Sequence, residues 1–446
     1  MTHYILFYFA ALILWWAVTH RQGRLLTADS VFVISLTLMA TGTFLRVDPD
    51  QQVDVLYAQI FLTSSCIYLG SSAFFAVSFG ARSPREAPRR VIDVDPSTVV
   101  VRGLIFISVV VTIAYFYSIG YSALYLSFRS LTGADPADVA SLRLNSYSGA
   151  KYFFPGYVNQ FKNVILPAMT AVIVTSRLAK TSELKSRRLR FGEIVLVVLA
   201  PFALLGTGQR GPFFIFAAVL AVFLYLRQPR GIARRIWVLG GATVAIGLGA
   251  TLALQRGGNA LAAASGSGKL QGLVTQLSDR FLFSNQESGI AGFRYTSHFA
   301  VADGHEWLQG MAGLLPGSRG SDLSGQIFAS IFGGSRGTAP PSLWGSVAYN
   351  FGVSGVVLFP ILLALILQVI NQRSLRKAEY NSLEIMGLAG IFVIFGTWTN
   401  GGPIYLMNAG LASYTLIWAI GRALRRKASK HGYDAANIKK VAGAPK

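Results

Sequence analysis

The chain has 446 residues, of which 52% are hydrophobic and 13% are charged, and its formal net charge is +21. Together with a mean hydropathy of +0.49, this composition excludes an ordinary water-soluble domain and indicates a protein whose solvent is a bilayer. The positive charge does not favour nucleic-acid binding, because the Lys and Arg residues are scattered through short loops that contain no recognition module. We therefore predict a polytopic membrane protein that binds no nucleic acid.

Apolar runs recur along the chain, and each is long enough to cross the hydrocarbon core of a membrane as a helix. The predicted fold class is an all-α bundle over residues 1–421, with outer insertions at 120–156 and 255–345 and a basic cytoplasmic tail at 422–446. We predict about eleven transmembrane helices. They lie near residues 4–19, 30–45, 53–80, 98–118, 158–176, 191–206, 212–226, 236–254, 346–370, 383–398 and 404–420.

Positive charge alternates between the connecting loops. Basic residues concentrate at Arg21 and Arg24, in the loops after residues 81, 176, 226 and 372, and in the tail from Arg422. Because positively charged loops stay in the cytoplasm, this pattern places the N-terminus outside and the C-terminus inside. The first apolar run is followed rather than preceded by arginines, so we interpret it as a retained span and not as a signal peptide.

The insertion from Gln255 to Gly345 is much longer than an ordinary connection, and we predict that it is functional. Within it, apolar residues recur at helical spacing from Leu270 to Phe281. That spacing is typical of a helix lying on the outer leaflet, and a small core helix within the loop fits it equally well.

Several familiar motifs can be excluded. The run from Ser265 to Leu270 lacks the first glycine and the Ser or Thr of a phosphate-binding loop, and His305-Glu306 lacks a second histidine four residues on. No spacing of His, Cys and carboxylates is typical of zinc, so we expect no metal and no cofactor. The cytoplasmic loops are too short for a nucleotide-sugar domain, so any glycosyl transfer would use a lipid-linked donor on the outer face.

Arginines on the predicted outer face are the main candidates for chemistry. Arg210 lies in Gly-Thr-Gly-Gln-Arg-Gly, a turn between two predicted spans. A guanidinium stays charged and binds phosphate oxygens in a bidentate way, which suits a lipid diphosphate at the membrane surface. The alternative for Arg210 is a helix anchor whose side chain reaches the interface. Four further arginines lie on this face, each with a solvated or structural role as its alternative: Arg280, Arg294, Arg319 and Arg336.

Two stretches carry a resemblance to a known family. They read Gly-Thr-Gly-Gln-Arg-Gly-Pro-Phe-Phe at residues 206–214 and Ala-Pro-Pro-Ser-Leu-Trp-Gly-Ser-Val-Ala-Tyr-Asn-Phe-Gly-Val-Ser-Gly at residues 339–355. The chain resembles the O-antigen polymerases, also called oligosaccharide repeat unit polymerases, of bacterial inner membranes. The resemblance implies the GT-C-like architecture of glycosyltransferases that use lipid donors. Related ligases usually carry a histidine in the stretch that corresponds to residues 346–352 of this chain. This chain has no histidine there, which favours a polymerase over a ligase.

The resemblance implies that the protein polymerises oligosaccharide repeat units carried on undecaprenyl diphosphate, at an active site facing the periplasm. Arg210 would stabilise the leaving diphosphate without a metal, helped by one or more of Arg280, Arg294, Arg319 and Arg336. Tyr349 and Asn350 would line a cavity beneath the long outer loop. A flippase and a chain-length regulator are the expected protein partners, and membrane lipid surrounds the bundle.

A base must accept the proton of the attacking hydroxyl. His298 is the first choice because a neutral imidazole accepts a proton near pH 7, and Glu287 is the second. Asp303, His305 and Glu306 are further candidates. Two other functions stay open: an O-antigen ligase or another lipid-donor glycosyltransferase, and a transporter of lipid-linked oligosaccharide.

Overall fold

The computed structural model describes most of the chain. The described residues are 2–20, 27–79, 90–92, 99–126, 145, 154–178, 190–209, 211–227, 283, 285–334, 337–375 and 379–442. The predicted span at 236–254 and the predicted helix at 270–281 lie outside them.

Helices dominate the described chain. Before the long outer insertion they are α1 (Thr2–Thr19), α2 (Ala28–Arg46), α3 (Gln52–Ser78), α4 (Val99–Ile119), α5, α6 (Phe191–Leu205) and α7 (Gly211–Arg227). Helix α5 consists of Pro155–Asn159, a π-helical turn at Gln160–Ile165, and Leu166–Leu178. Three helices follow within the insertion: α8 (Asn285–Thr296), α9 (His305–Ala312) and α10 (Leu323–Phe332). The chain ends with α11 (Leu343–Leu375), α12 (Ser382–Gly396), α13 (Ile404–Ala409) and α14 (Leu411–Ala442), which continues into the segment predicted as a tail.

Five of these helices are long and apolar enough to cross a membrane, which makes the chain a helical membrane protein. Shorter apolar helices include α6, α7 and α12. A helix occupies every predicted span within the described residues, and the total of eleven crossings stays a prediction. The five long helices are Thr2–Thr19, Ala28–Arg46, Gln52–Ser78, Val99–Ile119 and Leu343–Ser374.

Contacts between helix termini mark the two ends of the bundle. At one end, the start of α3 contacts the start of α11, where the Tyr57 hydroxyl donates to Ser342 Oγ at 2.7 Å. At the opposite end, the end of α5 contacts the start of α6, where Arg177 pairs with Glu193 at 2.8 Å. We call the first the outer end and the second the inner end, after the predicted topology.

A short parallel strand pair modifies the all-α prediction. Strand β1 (Arg90–Ile92) pairs with β2 (Glu379–Asn381), so that Arg90 faces Glu379 across the ladder. β2 directly precedes α12, so the pair lies at the inner end. It ties the connection after α3 to the connection after α11.

Helix α12 is the centre of the bundle, and almost all of its residues are buried. Its glycines Gly387 and Gly390 lie against Trp418 and Tyr414 of α14, where an added Cβ would overlap the backbone of Trp418 and the ring of Tyr414. Small residues at such positions allow two membrane helices to approach closely, and dispersion contacts then hold them together. This contact fixes the position of the chain between α12 and α14 at the outer end.

The helices of the outer insertion dock directly on the bundle. Arg294 of α8 forms two hydrogen bonds of 2.6 Å with Asp54 of α3, from Nε to Oδ1 and from a terminal nitrogen to Oδ2. Arg46 at the end of α2 pairs with Glu287 of α8 at 3.3 Å. The described part of the insertion is therefore a folded cap on the outer end.

Candidate functional site

A break in α11 organises the site. Gly352 has φ 59° and ψ −150°, a backbone conformation that is essentially restricted to glycine. The break frees carbonyls that a continuous helix would use, and the loop before α9 binds them. The N–H groups of Ala302 and Gly304 donate to the carbonyls of Tyr349 and Asn350, each at 2.9 Å.

This docking brings Glu306 of α9 onto Asn350. Asn350 Nδ2 donates to Glu306 Oε2 at 3.0 Å, and the Trp307 N–H donates to Asn350 Oδ1 at 3.3 Å. The other carboxylate oxygen, Oε1, accepts from Ser321 Oγ at 2.8 Å. The carboxylate is thus oriented from both sides by neutral donors. The structure gives it no cationic partner among the described residues.

Glu306 lines a cavity of about 730 Å³ at the outer end, which we call the outer cavity. Its volume is within the range of about 300–1,000 Å³ that is usual for small-molecule sites. The start of α5 forms one wall, α9 and α10 form the second, and the chain from Gly401 to Ala412 forms the third. Polar side chains around it include Gln160, Ser321, Ser324, Tyr405 and Asn408.

A second cavity of about 260 Å³ adjoins the first. We call it the inner cavity; the name does not refer to the inner end of the bundle, because both cavities lie at the outer end. Tyr405 and Asn408 line both cavities and so form their common wall. The inner cavity also touches Gly211 and Pro212, the first residues of α7, and Asn163 of the π-helical turn. Gly211, the residue that follows Arg210 in the chain, therefore lines the inner cavity.

The groups that line the outer cavity determine which ligands it can bind. Amide, hydroxyl and carboxylate groups in the outer cavity can hydrogen-bond sugar hydroxyls, and Glu306 is the group there that can accept a proton. The Gln160 side chain is held in place, because its Nε2 donates to the Met407 carbonyl at 3.0 Å and its Oε1 accepts from Ser413 at 2.8 Å.

Two of the predicted site residues are engaged in structural ion pairs. Asp54 is fully buried while the Arg294 side chain is 43% exposed, so Arg294 neutralises an internal carboxylate. The hydrogen bonds to Asp54 raise the pKa of the Arg294 guanidinium. Glu287 is half-exposed and paired with Arg46. Neither Arg294 nor Glu287 is among the residues that line the two cavities.

The remaining described candidates lie in different places. His298 and Arg319 are exposed, His298 just after α8 and Arg319 in the loop between α9 and α10. Arg319 lies between Ser318 and Gly320, which do line the outer cavity. Tyr349 packs against a small apolar cluster around Leu323, and Asn350 is fully buried. Asn350 thus reaches the cavity through Glu306 rather than by lining it.

Three predicted arginines, Arg210, Arg280 and Arg336, lie outside the described residues. Arg210 is nevertheless bracketed, because Gln209 and Gly211 on either side are described. The predicted convergence of the outer arginines stays a prediction.

Sequence reasoning missed several residues of the two cavities. The sequence places Tyr405 and Asn408 at the start of the predicted span 404–420 and Gln160 within the predicted span 158–176, and it assigns them no binding role. Nothing local in the sequence marks Ser321 as a partner of Glu306. Polar residues at the ends of predicted spans were the available signal for the first three.

Comparison with known proteins adds no assignment: no family model, no curated protein and no solved structure matches this chain. A function can therefore be inferred only from the residues of the site and from the resemblance of the two short stretches.

Proposed function

We propose that this protein is a glycosyltransferase that polymerises oligosaccharide repeat units carried on undecaprenyl diphosphate, at the outer face of a bacterial inner membrane. The observation that carries the proposal is the position of Glu306. Its carboxylate lines a cavity of about 730 Å³ that shares a wall with a second cavity touching Gly211, the residue after Arg210. A group able to accept a proton and the first residue of α7 thus line two adjoining cavities.

The reaction needs one bond to form and one to break. The acceptor hydroxyl oxygen attacks the anomeric carbon of the donor, and the bond from that carbon to the diphosphate oxygen breaks. The hydroxyl proton passes to the Glu306 carboxylate, and the electron pair of the broken bond leaves with the diphosphate. Arg210 stabilises that developing charge, as a fixed cation does in other transfer reactions.

Glu306 replaces His298 as the proposed base. Proton transfer requires a base within hydrogen-bond reach of the hydroxyl, and Glu306 lines the outer cavity whereas His298 is exposed after α8. Ser321 and Asn350 hold the carboxylate in place, which lowers the cost of orienting it during the reaction. Gln160, Tyr405 and Asn408 would bind the sugars.

The proposed reaction requires other proteins that supply its substrate and limit its product. A flippase must deliver the lipid-linked repeat unit to the outer face, and a further protein would set chain length. A ligase would instead transfer the same donor glycan to a different acceptor lipid, using the same leaving group.

The direct test is to incubate the purified protein with its lipid diphosphate-linked repeat unit, without nucleotide sugar or added metal, and to resolve the products on a gel. We expect a ladder with the wild-type protein and none with Arg210→Ala. Arg373→Ala is the matched control, because Arg373 is an exposed arginine near the inner end of α11, and it should give the wild-type ladder.

Other outcomes would redirect the proposal. A ladder that persists at the wild-type rate in Arg210→Ala would leave that arginine as a helix anchor. No ladder from authentic substrate, with transfer to a second acceptor lipid, would favour a ligase. Movement of the substrate across vesicles without transfer would favour a transporter.

A further inference from the structure

Helix α5 contains a lysine in its buried interior. Lys162 lies within the predicted membrane span 158–176, and its side chain is fully buried in the protein. It occupies the π-helical turn Gln160–Ile165. Such turns are rare, and they occur frequently at functional sites. A charged side chain within a membrane bundle is costly and usually marks a binding or transport site.

The contacts of Lys162 hold it in one place. Its Nζ donates to Asn163 Oδ1 at 2.6 Å and to the Ala203 carbonyl of α6 at 3.2 Å, and it lies 4.9 Å from the centre of the Tyr115 ring. Among the described residues no carboxylate pairs with it. No carboxylate among the described residues therefore compensates a charge on Nζ, and an anion bound nearby would stabilise the protonated form.

Lys162 also determines which way the neighbouring amide faces. Nζ donates to the Asn163 amide oxygen, so the NH₂ group of that amide faces away from Lys162. Asn163 lines the inner cavity, and its NH₂ group has no protein partner in the part of the chain that the structure describes. An amide donor is thus available at the cavity wall, and the hydrogen bond from Lys162 holds its orientation.

The other walls of the inner cavity complete the chemistry. Asn408 supplies a second amide, and Gly211 and Pro212, the first two residues of α7, line the same space. Ile215, Phe216 and Ala409 give it apolar sides. Among the described residues that line it, none carries a carboxylate, whereas Glu306 lines the outer cavity.

We propose that the inner cavity binds the diphosphate of the lipid-linked donor, with Asn163 donating to a diphosphate oxygen and Lys162 acting as the positioning residue that orients this amide. The outer cavity then receives the acceptor sugar beside Glu306. This inference rests on the proposed function only for the identity of the lipid; the diphosphate site itself rests on Lys162, Asn163 and the cavity.

Binding of simple probes tests the site without any transfer reaction. The purified detergent-solubilised protein is titrated by calorimetry with geranylgeranyl diphosphate, with geranylgeraniol and with inorganic pyrophosphate. We expect the lipid diphosphate to bind at least about tenfold more tightly than either the neutral lipid or pyrophosphate. Pyrophosphate binding as tightly as the lipid diphosphate would overturn the assignment to a lipid-linked ligand.

Three variants separate positioning from folding. Lys162→Met and Asn163→Ala should each weaken binding of geranylgeranyl diphosphate by about tenfold and leave geranylgeraniol binding unchanged. Asn163→Asp keeps a partner for Lys162 but replaces the donor with a carboxylate, so it should weaken diphosphate binding more than Asn163→Ala does. Thr170→Val is the control, because this buried hydroxyl on the same helix only donates to the Leu166 carbonyl of its own helix at 2.8 Å.

The outcomes are distinguishable from those of the polymerisation assay. Diphosphate binding that depends on Lys162 and Asn163 would support this site even if no ladder formed. Variants that bind the lipid diphosphate as the wild type does would overturn the site, even if the ladder and its dependence on Arg210 were confirmed. Equal losses for the diphosphate and the neutral lipid would indicate a packing role for Lys162 and would also overturn it.

Discussion

Glu306 Oε2 accepts a hydrogen bond from Asn350 Nδ2 at 3.0 Å, although the two residues belong to different helices, α9 and α11. The contact exists because α11 breaks at Gly352 and the loop before α9 binds the carbonyls of Tyr349 and Asn350. A backbone irregularity in a membrane helix thus positions the acidic group of the outer cavity. The same bond ties a residue of the cap to the buried bundle.

Glu306→Gln should remove the proposed base while keeping the fold. The new amide can donate to Ser321 Oγ and accept from Asn350 Nδ2, so both contacts of the carboxylate are preserved. Because general bases contribute about 10²–10⁴-fold to rate, we expect the initial rate of ladder formation to fall by about that factor. The thermal unfolding midpoint should match that of the wild type.

Glu287→Gln and His298→Ala serve as the comparison, since both residues are exposed and away from the cavities. Each should retain most of the activity. If His298→Ala abolished the ladder while Glu306→Gln did not, the histidine of the sequence-based prediction would be the base after all.

Gly352→Ala should destabilise the protein, because its φ of 59° and ψ of −150° are strained for any residue with a Cβ. The expected cost is about 1–3 kcal/mol. Gly103→Ala is the matched control: Gly103 lies inside α4, and an added Cβ there meets nothing within 4 Å. That control should be neutral or stabilising by up to about 1 kcal/mol. Thermal unfolding of both variants in one detergent would measure the difference, and equal midpoints would contradict a strained break.

The spans were predictable because each depends on a local property of the chain. Continuous apolar runs such as 98–118 define their own helices, and the structure places α4 at Val99–Ile119. The bounds of α5 and α14 were harder to predict from the sequence. Neither the π-helical turn within α5 nor the break between α13 and α14 changes the hydropathy of the chain clearly. The β1–β2 pair could not be predicted for a similar reason. Its two strands have three residues each and lie far apart in sequence, so neither shows an alternation of apolar and polar residues.

The site was only partly predictable. Glu306 was one of five proposed bases, and nothing local ranked it above His298, because its position depends on Gly352, Asn350 and Ser321 from other segments. Lys162 is a different case. A lysine inside a predicted span is a visible signal of a functional position, and the sequence-based interpretation passed over it in favour of loop arginines.

Arg294 should prove to be a structural residue rather than a ligand for diphosphate. Arg294→Met leaves Asp54 fully buried without its partner, which should destabilise the fold by between about 1 and 3 kcal/mol, less than for a wholly buried pair because Arg294 is 43% exposed. The double variant Arg294→Met with Asp54→Asn should recover most of that stability. Arg46→Met, which breaks the exposed pair with Glu287, should cost less than about 1 kcal/mol.

Unfolding measurements test these stabilities, and the ladder assay on the double variant tests the function. A stable double variant should polymerise normally. If its stability returned but its ladder did not, Arg294 would contribute to substrate binding as the sequence-based hypothesis held.

The predicted orientation can be tested with single cysteines, because the chain has only Cys66 to remove. In a Cys66→Ala background, Asp50→Cys lies in the exposed connection between α2 and α3, and Arg373→Cys lies on the exposed side of α11 near the inner end. Because basic loops are retained in the cytoplasm, a membrane-impermeant maleimide should label Asp50→Cys in intact cells and Arg373→Cys only after the cells are lysed. The cap and both cavities lie at the same end as Asp50, so labelling in the reverse order would place the site in the cytoplasm. That result would rule out a donor delivered to the outer face, whatever the activity of the purified protein.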